Sequence, residues 1–101
     1  EIKCPFNSAV HIRTILDGMP DEHMAQTQSG MWICDMPEWD FVSFDSRMPD
    51  HAALYIQTIQ RDDIFIANMA AECGRFWADV CEMVARVADK TRETNNGRLA
   101  A

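Results

Sequence analysis

The chain reads as an α+β domain, a mixed sheet flanked by helices, and three observations predict this. Trp39–Asp45 and Ala53–Gln60 alternate their side chains with the period of two that marks strands. Three other stretches repeat apolar residues at the three- and four-residue spacing of helices. The resulting order is strand, helix, helix, strand, strand, helix, with strands clustered rather than strictly alternating with helices.

Each element has its own signal. Residues 1–5 read as the end of a strand stopped by Pro5, which cannot donate to a ladder. Alternation there puts Glu1 and Lys3 on one face and points Ile2 into the core. Asn7 or Ser8 caps a short helix through about Leu16, in which Val10, Ile12, Ile15 and Leu16 are apolar. Asp17-Gly18 ends it and Met19-Pro20 is loop. Asp21 caps a second helix whose Met24, Ala25, Gln28, Met31 and Trp32 share a face. It runs to about Cys34, and Met36-Pro37 breaks it. Trp39–Asp45 carries apolar bulk on both faces, which predicts a strand covered on both. Arg47–Asp50 is a turn, so this strand and the next form an antiparallel hairpin with a longer loop.

The last helix opens on Asp62 and Asp63, whose charge favours a helix N-terminus. Ile64, Phe65, Met69, Phe76, Trp77, Val80, Met83, Val84 and Val87 make an apolar stripe to about Lys90. Residues 91–101 are polar and read as a frayed, flexible tail, which leaves 1–90 as the folded part. Trp32, Trp39, Phe41, Phe44, Phe76 and Trp77 lie on apolar faces and are expected in the core.

The 101 residues suit one small domain, and a 25% charged, 48% hydrophobic composition is that of a globular protein. A net charge of −7 argues against binding nucleic acid by bulk electrostatics. It does not exclude a nuclease, whose carboxylates stand beside phosphates with cations between them. Cys4, Cys34, Cys73 and Cys81 form no C-x-x-C pair and read as small buried hydrophobes in a reducing, cytoplasmic setting. No apolar run is long enough to span a bilayer, so no membrane association is expected.

The chemistry centres on Glu1-Ile2-Lys3. Phosphodiester hydrolysis uses a divalent cation that activates water and neutralises charge developing on the phosphate. Glu1 offers a carboxylate ligand and Ile2 a backbone carbonyl at the strand end, and Mg²⁺ takes few protein oxygens. Lys3 stands where it could orient or deprotonate the attacking water, or act as a fixed cation in the transition state. On its own, E-x-K occurs by chance in many proteins and reads first as a solvated acid–lysine strand face.

Three segments taken together carry a resemblance. They are Glu1-Ile2-Lys3-Cys4-Pro5-Phe6; His23-Met24-Ala25-Gln26-Thr27-Gln28 followed by Met31-Trp32; and Phe44-Asp45-Ser46-Arg47-Met48. In this order and spacing the chain resembles the phage lambda exonuclease family, the YqaJ-like viral recombinase group of the PD-(D/E)-x-K nucleases. The resemblance runs from Glu1 to roughly Val87. It implies a fragment of a restriction-endonuclease-like core, the C-terminal part of an exonuclease domain that begins after the family's metal-binding aspartate.

It also implies an Mg²⁺-dependent 5′-to-3′ exonuclease acting on double-stranded DNA ends in phage-type homologous recombination, with Mn²⁺ as a substitute metal. A single-strand annealing protein as partner, a homo-oligomer such as a trimer, and the cytoplasm of a bacterial host carrying phage or prophage come with it. By position, Glu1 and Ile2 would be metal ligands, Lys3 the catalytic lysine, and Gln26 the glutamine that positions phosphate or water. His23 stands where the family often has tyrosine, and with Arg13 it is a candidate substrate contact. The fragment alone is expected to be inactive. The alternative reading is a non-catalytic module that uses the last helix for oligomerisation or partner binding, or another nuclease of the same superfamily.

Overall fold

The computed structural model describes the backbone of residues 1–100 and the side chains of residues 1–97. Two compact units emerge, Glu1–Ile66 and Ala67–Ala101. The first holds a three-stranded sheet, β1 (Ile2–Lys3), β2 (Glu38–Phe44) and β3 (Leu54–Gln60), in that spatial order. The predicted α+β class and the antiparallel hairpin are both present. β1 runs parallel to β2, with Ile2 opposite Val42 and Lys3 opposite Ser43. β2 and β3 pair antiparallel from Glu38–Gln60 to Phe44–Leu54. Helices α1 (Ser8–Asp17), α2 (Met24–Cys34) and the short α3 (Asp50–Ala53) complete the unit, with a 3₁₀ turn at Asp21–His23 leading into α2.

The element ends follow local chemistry. Asn7 caps α1, its Oδ1 accepting from the Ala9 N–H at 2.9 Å. Gly18 ends it at φ 86°, a conformation that glycine adopts without a Cβ penalty. Gln57 then holds the following loop, accepting from the Met19 N–H at 2.8 Å and from the Tyr55 hydroxyl at 2.9 Å. The C-terminal carbonyls of α2 are met by Arg61, whose Nη1 donates to Met31 O at 2.9 Å. Asp62 caps the last helix, α4 (Asp63–Ala100), through Oδ1 and the Phe65 N–H at 2.9 Å. Gly30 lets α2 approach β2 closely. A Cβ there would stand 2.7 Å from Cζ2 of Trp39, well inside van der Waals contact.

Several burial expectations are corrected. Among the described residues the covered face of the sheet is the one bearing Phe41, Ser43 and, just beyond the strand, Asp45. On the other face Phe44, Leu54 and Ile56 are exposed, so β2 is not buried on both sides. Ile2 belongs to that open face and is 70% exposed, against the expectation that it points into the core. Of the six aromatic residues expected inside, Phe41 alone is fully buried, and Trp39 is half-buried. All four cysteines are exposed.

The helices also turn a more polar side inward than their apolar spacing suggests. His11 and Thr14 are buried on α1, and Thr27, Gln28 and Met31 on α2, while Val10, Ile12 and Leu16 are exposed. The reason is that the polar groups arrive already partnered, which removes most of the penalty for burial. Thr14 donates to Val10 O and Thr27 to Met24 O within their own helices. His11 Nε2 lies 2.7 Å from Ala52 O, and its Nδ1 lies 2.7 Å from Ser43 Oγ. A carbonyl only accepts, so Nε2 carries a hydrogen, and in the neutral ring Nδ1 accepts from the Ser43 hydroxyl.

The second unit is helix. α4 continues through Ala100, across most of the stretch expected to be a frayed tail, and Ala101 lies outside the described residues. Its Phe76, Trp77, Met83, Val84 and Val87 are exposed. No helix among the described residues is long and apolar enough to cross a membrane.

Candidate active site on the first strand

Parallel pairing fixes the first three residues. The Val42 N–H donates to Glu1 O at 2.8 Å, and the Glu1 amino group donates to Asp40 O at 2.9 Å. Carbonyls alternate sides along a strand, so the Ile2 carbonyl points to the sheet's outer edge, away from β2. The side chains of Glu1 and Lys3 lie on the helix-covered face and are half-buried. Lys3 Nζ is 3.2 Å from Glu1 Oε1 and donates to Gln26 Oε1 at 2.8 Å. A strand residue, its neighbour two positions on, and a helix residue 23 positions further along thus converge on one ammonium group.

Gln26 reaches Lys3 because α2 is anchored on either side of it. Met31, Thr27 and Gln28 are buried, and Gly30 sets the helix against Trp39. Gln28, two residues on from Gln26, does different work. Its Nε2 donates to Gln60 O at 3.0 Å and its Oε1 accepts from the Asp62 N–H at 2.9 Å, tying α2 to the end of β3. The two glutamines of the M-A-Q-x-Q segment therefore divide between the site and the core.

His23 stacks on Phe41, with centroids 5.4 Å apart and planes 27° from parallel, and its Nε2 is 3.7 Å from Glu22 Oε1. Phe41 precedes Val42, the partner of Ile2, so the ring that His23 stacks on stands across the ladder from Glu1. Arg13 is on the exposed side of α1. It lines a cavity of about 350 Å³ with Thr14, Asp17, Asp21 and Glu22, and makes no hydrogen bond or ion pair with Glu1, Lys3 or Gln26 among the described residues.

Sequence reasoning assigned no role at the site to the group around Asp45. Asp45 is buried just past β2, and Arg47 grips it, Nε to Oδ1 at 2.8 Å and Nη2 to Oδ2 at 3.1 Å. Hydrogen bonds from the Arg47 side chain, then from Ser8, hold the Asp45 carboxyl far below the ordinary carboxylate range. The sign of the linkage follows. A carboxyl whose folded pKa is depressed stabilises the fold above its unfolded value, near 3.9, and that contribution fades as pH falls further toward the folded value. Asp45→Asn should therefore melt below wild type at pH 7, with the gap narrowing below about pH 4. Thermal melts across that range check this, and a gap independent of pH would contradict it.

A divalent cation finds only part of a ligand set here. No group of three His, Cys, Asp or Glu side chains that could hold a metal occurs among the described residues. Glu1 and the Ile2 carbonyl amount to two oxygens, at the low end of what Mg²⁺ takes from protein, with water and substrate supplying the rest.

No family model and no curated protein matches the chain. Solved structures do. A crystal structure of an alkaline exonuclease, LHK-Exo, from Laribacter hongkongensis superposes with a TM-score of 0.87 at 36% identity, covering 92% of this chain. The structure of LHK-Exo in complex with dAMP matches equally well. The chain spans about half of that protein, 48% of its length. A likeness of this extent, in sequence as well as fold, supports the nuclease family.

Proposed function

We propose that this chain supplies the Glu1–Lys3–Gln26 half of the active site of a metal-dependent DNA exonuclease that removes nucleotides from double-stranded ends, 5′ to 3′, in recombination. The observation that carries the proposal is the Lys3 ammonium held at once by Glu1 and Gln26 on one face. The likeness to an alkaline exonuclease supports it, as does the dAMP complex of that protein, since a deoxynucleoside monophosphate is what stepwise removal of terminal nucleotides releases.

Within this reading Glu1 and the Ile2 carbonyl are two of the ligands of a Mg²⁺ or Mn²⁺ ion, completed by donors beyond those described. The ion supplies Lewis acidity at the phosphate. Lys3 places a fixed positive charge where charge develops, and Gln26 holds that ammonium in line while offering its amide N–H groups to phosphate or water. His23, flat on Phe41, is a second donor to the DNA backbone. An annealing protein and an oligomer of this chain are its proposed partners, in the cytoplasm.

The test uses the whole protein with end-labelled linear duplex and covalently closed circular DNA. Mononucleotides should form from the linear substrate only, and EDTA should abolish the reaction. Cleavage of closed circles would point to another nuclease chemistry, and activity that survives EDTA would remove the metal. The second reading, a partner-binding module, draws on the exposed Phe76, Trp77, Met83, Val84 and Val87 of α4. It predicts no hydrolysis of either substrate.

A further inference from the structure

Arg47 is a cation in the F-D-S-R-M segment and stands 54% exposed, which invites its reading as a DNA contact. Its hydrogen bonds say otherwise. Besides the two bonds to Asp45, Nη2 donates to Pro5 O at 3.0 Å and Nη1 to Phe6 O at 2.8 Å. Four of the five N–H donors of the guanidinium are spent within the protein, leaving one for a phosphate that Arg grips best with two. Asp45 is in turn held by the Arg47 backbone N–H at 3.0 Å and by a side-chain hydrogen bond with Ser8, the first residue of α1.

The groups joined in this way meet at one corner, where the chain leaves β1, α1 starts and β2 ends. The ladder of β1 with β2 runs through Ile2 and Lys3 and stops there. Pro5 can add no ladder bond, so the sheet does not direct the chain beyond Lys3. What fixes the exit of the chain two residues past Lys3 is the pair of carbonyls in the grip of Arg47.

We propose that Arg47, anchored on buried Asp45, is a positioning residue: by clamping the Pro5 and Phe6 carbonyls it fixes the exit of the chain from β1 and so keeps Lys3 aimed at Gln26 and Glu1. The proposal rests on the nuclease reading for its catalytic consequence, but not for its structural one. A shift of about 1 Å in a catalytic group can cost about a hundredfold in rate, so a clamp outside the site suffices to govern it.

The test compares Arg47→Gln, Arg47→Lys and Lys3→Ala in the whole protein by amide hydrogen exchange, thermal melting, and kcat and KM on linear duplex DNA. Arg47→Gln should speed exchange at the bonded amides on either side of the clamp, Lys3, Ala9 and Val10, by about tenfold or more, leave the amides that pair β2 with β3 as in wild type, and lower kcat by about ten- to a hundredfold with KM little changed. Arg47→Lys retains the charge beside Asp45 but lacks the fork that reaches both carbonyls, so it should show the same pattern, and it remains informative if the glutamine variant fails to fold. Unchanged exchange at Lys3, Ala9 and Val10, or exchange sped equally through the β2–β3 pairs, overturns the clamp. A raised KM with kcat intact also overturns it, since that marks a DNA contact. If instead Lys3→Ala hydrolyses DNA normally, the nuclease reading falls while the exchange data still judge the clamp.

Discussion

Lys3→Ala is expected to slow release of nucleotides from linear duplex DNA by about 10²–10⁴-fold in the whole protein, the usual cost of losing a positioned acid–base or charge-stabilising group. The thermal melt should barely move. Lys3 is partly exposed and its contact with Glu1 is a single ion pair at 3.2 Å, an interaction worth about 1 kcal/mol or less. Rate and stability therefore separate, and that separation distinguishes an active-site lysine from a solvated strand face. Lys3→Arg keeps the charge but spreads it over a longer planar fork, and should recover only part of the rate. Gln26→Ala removes the 2.8 Å acceptor that aims the ammonium and should cost about tenfold. Single-turnover rates measure all three. A Lys3→Ala rate within threefold of wild type would return the opening motif to an ordinary surface pair.

The element order and the closeness of Glu1, Lys3 and Gln26 were legible in the sequence, for different reasons. Strand alternation alone put Glu1 and Lys3 on one face, and it needed no partner to do so. Gln26 was legible only through the resemblance, because helical spacing does not say which strand a helix face meets. Which face of β1 was covered could not be read at all. Ile2 is the most apolar of the three residues, so hydrophobicity alone assigns it to the core, yet α2 covers the opposite side and leaves Ile2 70% exposed.

The same limit explains the helices. Apolar spacing finds a stripe, but burial in this unit is organised by polar contacts that couple residues far apart in sequence, His11 with Ser43 and Gln28 with Gln60. Nothing local in the sequence announces such a pair. Asp45 and Asp50 both lie near Arg47 in sequence, and the chain alone does not choose between them. The grip of Arg47 on Pro5 and Phe6, 42 and 41 residues away, has no local signal at all.

Gln28→Met tests the buried half of the M-A-Q-x-Q segment and should lower stability by about 2–4 kcal/mol. The thioether fills nearly the same space, so little cavity opens. What is lost is the pairing at the junction of β3 and α4, where the Gln60 carbonyl and the Asp62 N–H are left without Gln28. An unsatisfied buried donor or acceptor costs about 1–3 kcal/mol, and these two, part-buried, fall toward the lower end of that range and are lost together. For a unit this small each kcal/mol shifts the melting temperature by about 4–8 °C, so the drop should exceed about 8 °C. Asp62 also caps α4, so amide exchange should accelerate first at Phe65 and the adjoining turn. Gln26→Met on the same helix is the control. It changes an exposed residue and should leave stability within about 0.5 kcal/mol while slowing DNA hydrolysis. Two identical side chains two positions apart would then fail in opposite ways, one in folding and one in rate. A Gln28→Met protein that melts like wild type would show that the β3–α4 junction is held by other contacts, Arg61 on Met31 O foremost among them.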